Sequence, residues 1–526
     1  MRRSFYFLLF LVIAFNSKAQ VQFPAIDVQH YTFAIQLNDA NDTIKGKAVV
    51  ELKFLKDVNS FSLNLVKTKK SGKGMRVSSV YEAGHKLSFN QDSDLLIIKT
   101  PAKANSQHSY KITYAGIPED GLIISTNEFG HRTFFGDNWP DRAQNWLPCA
   151  DYPADKARVD FIVTAPDHYQ VIANGLKTLE TVLPGHFKLT HWSESSALPT
   201  KVMVIGVADF AVDHPADIGN IPLYTYVFPE SKEAGFKSYQ VAKEILPYYI
   251  KMIGPYAYEK LTNVQSKTIF GGMENASAIF YFENSVTSKG IEELMAHEIA
   301  HQWFGDAASE KSFAHLWLSE GFATYMTNLY LENKYGTDTL KARLRADRTT
   351  VLKFEKRRLT PVVDIAVKNN FMQMLNANSY QKGGWVLHML RRKLGDTIFW
   401  KGIRNYYAQY KNSNANTDDL CKVMEKASGQ DLQQFFKQWL YTAGHPQLNI
   451  TWKYNESKKV VEMTITQKQN TLFEFPLAVS IDGKTRILDI KNKAVNAVFP
   501  SKEKPKAIIA DPDVNLLAGF EVGESQ

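Results

Sequence analysis

Ile291-Glu292-Glu293-Leu294-Met295-Ala296-His297-Glu298-Ile299-Ala300-His301-Gln302-Trp303-Phe304-Gly305, followed by Trp317-Leu318-Ser319-Glu320-Gly321-Phe322-Ala323, is the stretch that organises the whole chain. Ile291, Leu294, Ile299 and Trp303 form an apolar stripe, which predicts a helix over 292–305 with Gly305 as its stop. His297 and His301 stand one turn apart on one face of that helix, so both imidazoles reach one ion at about 2.0–2.1 Å. Glu298 sits one position along, where it can take a proton from water held by the ion. Glu320 is a candidate third ligand if Ser319 or Glu320 opens the next helix and that helix packs back on the first. Two histidines, one carboxylate and an open fourth position describe a catalytic zinc site rather than a structural one. Taken alone, the same residues also fit two surface histidines and a glutamate favoured by a helix N-terminus.

Outward from this helix the texture changes on both sides. From about Tyr31 to Phe228 the pattern has period two, as in 43–54, 109–114 and 201–207. Short alternating runs separated by Gly, Asn and Asp turns predict a β-sheet domain. Helical spacing begins at Lys232 and continues to about Tyr441, with a first helix over 232–253 and others over 320–334 and 431–440. Alternation returns after Gly444-His445-Pro446, in 448–452, 461–465 and 476–481. The expected architecture is α+β and multidomain: a β-sheet domain over 20–220, a mainly helical catalytic domain over 221–443, and a small β-sandwich over 444–526.

At the N-terminus, Arg2 and Arg3 precede an apolar run from Phe5 to Phe15 and the small residues Ser17 and Ala19. This is the layout of a secretory signal peptide over 1–19, which implies export to the periplasm or the medium. The apolar run is shorter than the ~20 residues that span a bilayer, so stable membrane insertion is not expected after cleavage. The chain has 526 residues, 44% of them hydrophobic and 22% charged, which excludes a disordered or fibrous protein. The net charge of +8 is scattered. Its densest cluster, Lys67, Lys69, Lys70 and Lys73, reads as a solvated hairpin loop, and no nucleic-acid module is visible. Two cysteines, Cys149 and Cys421, exclude a disulfide framework but leave one pairing open.

Gly271-Gly272-Met273-Glu274-Asn275 lies upstream of the His-Glu-x-x-His pattern, and Glu320 follows it. With this combination the chain resembles the M1 (gluzincin) family of zinc aminopeptidases. Leu147-Pro148-Cys149-Ala150-Asp151, Tyr380-Gln381-Lys382-Gly383 and Gly444-His445-Pro446-Gln447-Leu448 are similar to further segments of that family, in the same order. The resemblance implies a saddle-like N-terminal sheet, a thermolysin-like catalytic domain and a C-terminal β-sandwich. It also implies one zinc per chain, held by His297, His301 and Glu320. Glu298 is then the general base toward zinc-bound water, and Tyr380 the hydrogen-bond donor to the oxyanion. Glu274 pairs with the free α-ammonium of a peptide, and Gly271, Gly272, Met273 and Asn275 shape the substrate's seat. Phe270 is placed to line the pocket for the first side chain. The sequence departs from the family at Trp139, where Gln or Glu is common, and Asp137 beside it is the candidate substitute. It also has Ser319 where Asn is common, and it reads as a form without the family's helical C-terminal domain.

The implied function is an exported zinc aminopeptidase acting on peptides with a free N-terminus. Two other readings remain at this stage. One is a zinc endopeptidase, which has no use for an amine clamp at Glu274. The other is a non-catalytic peptide-binding scaffold, in which loss of a ligand, the base or the tyrosine is expected. The preferred first residue and the oligomeric state are not encoded in these motifs.

Overall fold

Alternation becomes sheet where the sequence shows it most plainly. In the computed structural model, which describes residues 23–525, the strand Ile44–Phe54 buries Ile44, Ala48, Val50, Leu52 and Phe54 and turns Lys45, Lys47 and Glu51 outward. The leader expected over 1–19 lies outside the described residues. Ile44–Phe54 belongs to an eight-stranded sheet in which it pairs antiparallel with Ile26–Gln36. Ile26–Gln36 in turn runs parallel to Lys156–Pro166. Smaller sheets of four and three strands complete the β-rich N-terminal region. The run 201–207 is not one strand: a 3₁₀ turn, Thr200–Val202, precedes the short strand Ile205–Ala208.

The next sheet carries the chain into the helical region. Its five strands follow the order Ala211–Ile218, Ile221–Val227, Leu261–Ser266, Ala278–Phe282 and Gly272–Met273. The hairpin from Ala211 to Val227 crosses residue 220, because its two strands pair with each other and the second pairs with Leu261–Ser266. All six residues of Leu261–Ser266 are buried, four of them polar (Thr262, Asn263, Gln265 and Ser266), so this strand has no solvent-exposed face and no alternation of buried with exposed residues. The helix expected over 232–253 is two helices, Lys232–Tyr239 and Ala242–Met252.

Four later helices position the site: α1 (Ile291–His301), α2 (Trp317–Tyr335), α3 (Thr337–Glu355) and α4 (Gly383–Leu394). The C-terminal region is a sandwich of a four-stranded and a three-stranded sheet, with Leu448, Ile450, Met463, Ile465, Leu477 and Val479 buried between them. The protein is thus mixed α+β, β-rich first, helical in the middle and stranded at the end. Cys149 and Cys421 are free, buried thiols. Among the described residues no helix is long and apolar enough to cross a membrane.

Candidate functional site

α1 is pinned at its N-terminus, where acidic groups suit the helix dipole. Glu292 accepts from Lys334 at 2.6 Å and Tyr330 at 2.9 Å, and Glu293 takes a two-pronged bond from Arg343 at 2.5 and 2.8 Å. Buried Met295, Ala296, Ile299 and Ala300 fix its rotation, which leaves His297 and His301 toward α2. The helix ends at His301 rather than at Gly305. The turn after it needs Gly305, whose φ is +123° and where a Cβ would stand 2.2 Å from Ser319 Oγ. α2 opens at Trp317, ahead of the expected start, so Glu320 sits in its first turn.

These two helices bring three donor atoms to one point. The Nε2 atoms of His297 and His301 are 3.1 Å apart, and each lies 3.3 Å from Glu320 Oε2. With both Nε2 atoms unprotonated, lone pairs so arranged repel, and a cation among them relieves the repulsion. A tetrahedral ion with ligands at about 2.0–2.1 Å sets its ligand atoms about 3.3 Å apart, so the donor set fits zinc. His301 is fixed from behind: its Nδ1 lies 3.1 Å from Phe304 O and 3.0 Å from Ser319 Oγ. A proton held on Nδ1 by that carbonyl leaves Nε2 free to ligate. Ser319, at the position where Asn is common in the family, thereby supports His301.

Around this point lies a cavity of about 280 Å³. Glu274, Glu298 and Tyr380 face it together with the three donors. Oxygens of Glu274 and Glu298 and a ring nitrogen of His301 lie within 4.8 Å of one another. Burial pushes the Glu298 carboxyl well above its usual range; Glu274 and Glu320 push the same way, and His301 opposes them. Glu298 rests against Gly272, where a Cβ would stand 2.3 Å from its Oε1, so only glycine lets the carboxylate lie there. Tyr380 stacks on His297 with ring centroids 5.9 Å apart. Burial, with Glu320, Glu274 and Glu298 adding to it, keeps the phenol protonated and so a donor. It lies in an irregular turn, Asn378–Lys382, that leads into α4. That turn comes close because Gly321 and Gly383 meet without side chains; a Cβ on Gly321 would stand 2.9 Å from Gly383 Cα.

Glu274 is 5% exposed, and its Oε1 has no hydrogen-bond partner among the described residues. Gln302 holds the backbone beneath it, donating to Glu274 O at 2.6 Å and accepting from Ser277 N at 2.8 Å. The apolar wall consists of Trp139, Phe270, Met273, Leu294 and Leu375. Phe270 meets Trp139 edge-on, with centroids 5.9 Å apart. Gly271 also lines the cavity, and a Cβ there would meet no atom within 4 Å.

The structure does not bring Asp137 and Asn275 to the cavity wall with the others. Asp137 is buried and its oxygens are occupied: Arg142 donates to it at 2.5 Å, Thr268 Oγ1 at 3.0 Å and Ile269 N at 2.9 Å. It anchors the 268–270 segment, while Trp139 faces the cavity. Asn275 is buried beneath the loop, and neither of its side-chain polar atoms has a partner among the described residues. Sequence reasoning missed Gln302 and the buried pair behind the loop, Lys201 Nζ to Glu310 Oε1 at 2.7 Å. A lone lysine within Ala197-Leu198-Pro199-Thr200-Lys201-Val202-Met203-Val204 was the available signal.

Residues 27–202 match the model of the peptidase M1 N-terminal domain, and residues 237–439 match that of the peptidase family M1 domain. The chain is 26% identical over 496 residues to "Probable aminopeptidase 1" of Sulfurisphaera tokodaii, covering 90% of this chain and 61% of that protein. It is 25% identical over 490 residues to "Leucyl aminopeptidase" of Saccharolobus solfataricus, covering 88% and 60%. Similarity to "Aminopeptidase 2" of Candida albicans is 26% over 472 residues, covering 82% and 49%. The chain therefore spans 61% or less of the length of these curated relatives.

Proposed function

The chain belongs to peptidase family M1, and we propose that it is a zinc-dependent aminopeptidase that removes the first residue from peptides with a free N-terminus. The observation that carries this reading is Glu274, a buried carboxylate with one unpartnered oxygen, facing the cavity that also holds the donor set and Glu298. A buried carboxylate of this kind calls for a cation, and a peptide's α-ammonium supplies both charge and donors.

When held by His297, His301 and Glu320, zinc supplies Lewis-acid polarisation of the scissile carbonyl and acidifies water. The protein's own groups do the rest. Glu274 seats the ammonium, which sets the first peptide bond at the reacting point. Glu298 takes the proton from the attacking water and returns it to the nitrogen that leaves as the C–N bond breaks. Tyr380 donates to the carbonyl oxygen as negative charge collects there. Trp139, Phe270 and Met273 line the same cavity and give the ion pair at Glu274 an apolar surround.

A panel of fluorogenic aminoacyl substrates, free and N-blocked, with and without chelator, tests the reading. Chelator-sensitive turnover of the free substrates alone supports it. Equal turnover of blocked ones indicates an endopeptidase, and binding without turnover indicates a scaffold. Export through 1–19 belongs to the same proposal, on the strength of Arg2, Arg3 and the apolar run after them. An exported protein that starts at Gln20 supports it, and one that retains Met1 contradicts it.

A further inference from the structure

Two of the sequence segments singled out above, Tyr380-Gln381-Lys382-Gly383 and Gly444-His445-Pro446, lie far apart in the chain and meet at one buried carboxylate. Glu355 is the last residue of α3. Lys382 Nζ donates to Glu355 Oε1 at 2.7 Å and to Gly444 O at 2.8 Å. His445 Nδ1 bonds the other carboxylate oxygen, Oε2. Lys382 is fully buried, Glu355 is 6% exposed and His445 is 8% exposed. Burial raises the Glu355 carboxyl, and His445 and Lys382 more than reverse this, so it stays ionised.

Lys382 closes the turn that carries Tyr380, and its backbone N–H reaches back to Ala377 O at 2.8 Å. The turn is thus gripped at two places. Gly321 and Gly383 meet on the α2 side, and Lys382 is tied to Glu355 and Gly444 on the other. Asn378 steadies its start by donating to Thr360 O at 2.9 Å. The grip at Glu355 is completed from the segment that opens the C-terminal sandwich, because His445 and the Gly444 carbonyl come from there.

We propose that His445, Glu355 and Lys382 form a buried ionic triad through which the start of the C-terminal β domain positions Tyr380 for catalysis. The proposal rests on the role of Tyr380 given above. None of the three triad residues lines the cavity, so each is a positioning residue and none is catalytic. An oxyanion donor works only at the right distance, and a misplacement of about 1 Å commonly costs on the order of 10²-fold in rate. Loosening the triad is expected to lower kcat and to leave KM nearly unchanged, because Glu274 and the apolar wall are untouched.

The test is a double-mutant cycle on the zinc-loaded full chain. His445→Leu removes the bond to Glu355. His445→Asn places an amide N–H where Nδ1 stood and is the conservative rescue. Each is made in the wild type and in Tyr380→Phe, with kcat, KM, zinc content and thermal midpoint measured. We expect His445→Leu to lower kcat about 10- to 100-fold in the wild type. We expect less than about threefold in Tyr380→Phe, because coupled residues are not additive. His445→Asn is expected to recover most of the loss, with one zinc retained throughout. A loss of equal size in both backgrounds overturns the proposal, as does a wild-type kcat in His445→Leu. If His445→Leu does not fold, Glu355→Gln, which keeps the volume, gives the same cycle with the same two outcomes. Wild-type turnover in Tyr380→Phe alone refutes the catalytic role of Tyr380, a result distinct from failure of the triad.

Discussion

Gly272→Ala places one methyl group where the structure has no room for it. Its Cβ would lie 2.3 Å from Oε1, 2.5 Å from Cδ and 2.6 Å from Cγ of Glu298. Ordinary contact starts near 3.4 Å, so the base must retreat by about 1 Å, and a shift of that size costs on the order of 10²-fold in rate. That corresponds to about 2.7 kcal/mol in the barrier. The loss is expected in kcat, since the role proposed for Glu298 is to handle a proton and not to grip the substrate. Zinc content is expected to stay at one per chain, because none of the three atoms nearest the new methyl belongs to His297, His301 or Glu320. Gly271→Ala is the neighbouring comparison: its Cβ meets nothing within 4 Å, and its effect should be far smaller. Steady-state kinetics on a free aminoacyl substrate, with metal analysis of each protein, decides the matter. A Gly272→Ala enzyme with wild-type kcat refutes the placement of Glu298 as base.

Glu298→Gln should retain zinc and lose at least the ~10²-fold typical of general-base removal. Metal analysis beside turnover checks it, and loss of zinc would assign Glu298 to the ligand set instead. Asp160 carries the acid-stability prediction. Burial raises its carboxyl, but hydrogen bonds from His30, Ser193 and His191 more than reverse this and hold it at about 2. Against an unfolded value near 3.9, the depressed group stabilises the fold at pH values above both. The contribution fades as pH falls through about 2. Thermal midpoints of wild type and Asp160→Asn should therefore differ clearly at pH 7 and converge in acid, and a constant gap across pH contradicts the assignment.

The parts of the site legible in sequence were those carried by a repeating pattern. α1 announced itself because Ile291 and Leu294 stand three residues apart, as on a helix face, with His297 and His301 one turn apart. Glu320 was legible by its spacing, but the start of α2 was not, since Trp317 and Leu318 are as apolar as the core around them. Leu261–Ser266 escaped notice because a strand buried on both faces has no period. The 201–207 run misled for a different reason. Lys201 interrupts it to reach Glu310, and the backbone turns there instead of extending. Asp137 was read as facing the substrate because of its place beside Trp139. Arg142, five residues on, is a local partner, but Thr268 and Ile269 come from long-range folding that no local pattern reports.

The amine seat at Glu274 is the centre of the account, and its most direct measurement is mass spectrometry of the products from one decapeptide, free or N-acetylated. The enzymes compared are wild type and Glu274→Ala. Removing one partner of a buried charge pair commonly costs about 2–5 kcal/mol. At 1.4 kcal/mol per tenfold, that is a loss of roughly 30-fold to several thousand-fold in kcat/KM on the free peptide. The account predicts stepwise loss of first residues from the free peptide alone by the wild type, with the preference for a free N-terminus largely gone in Glu274→Ala. Internal fragments released at similar rates from both peptides by the wild type would contradict it.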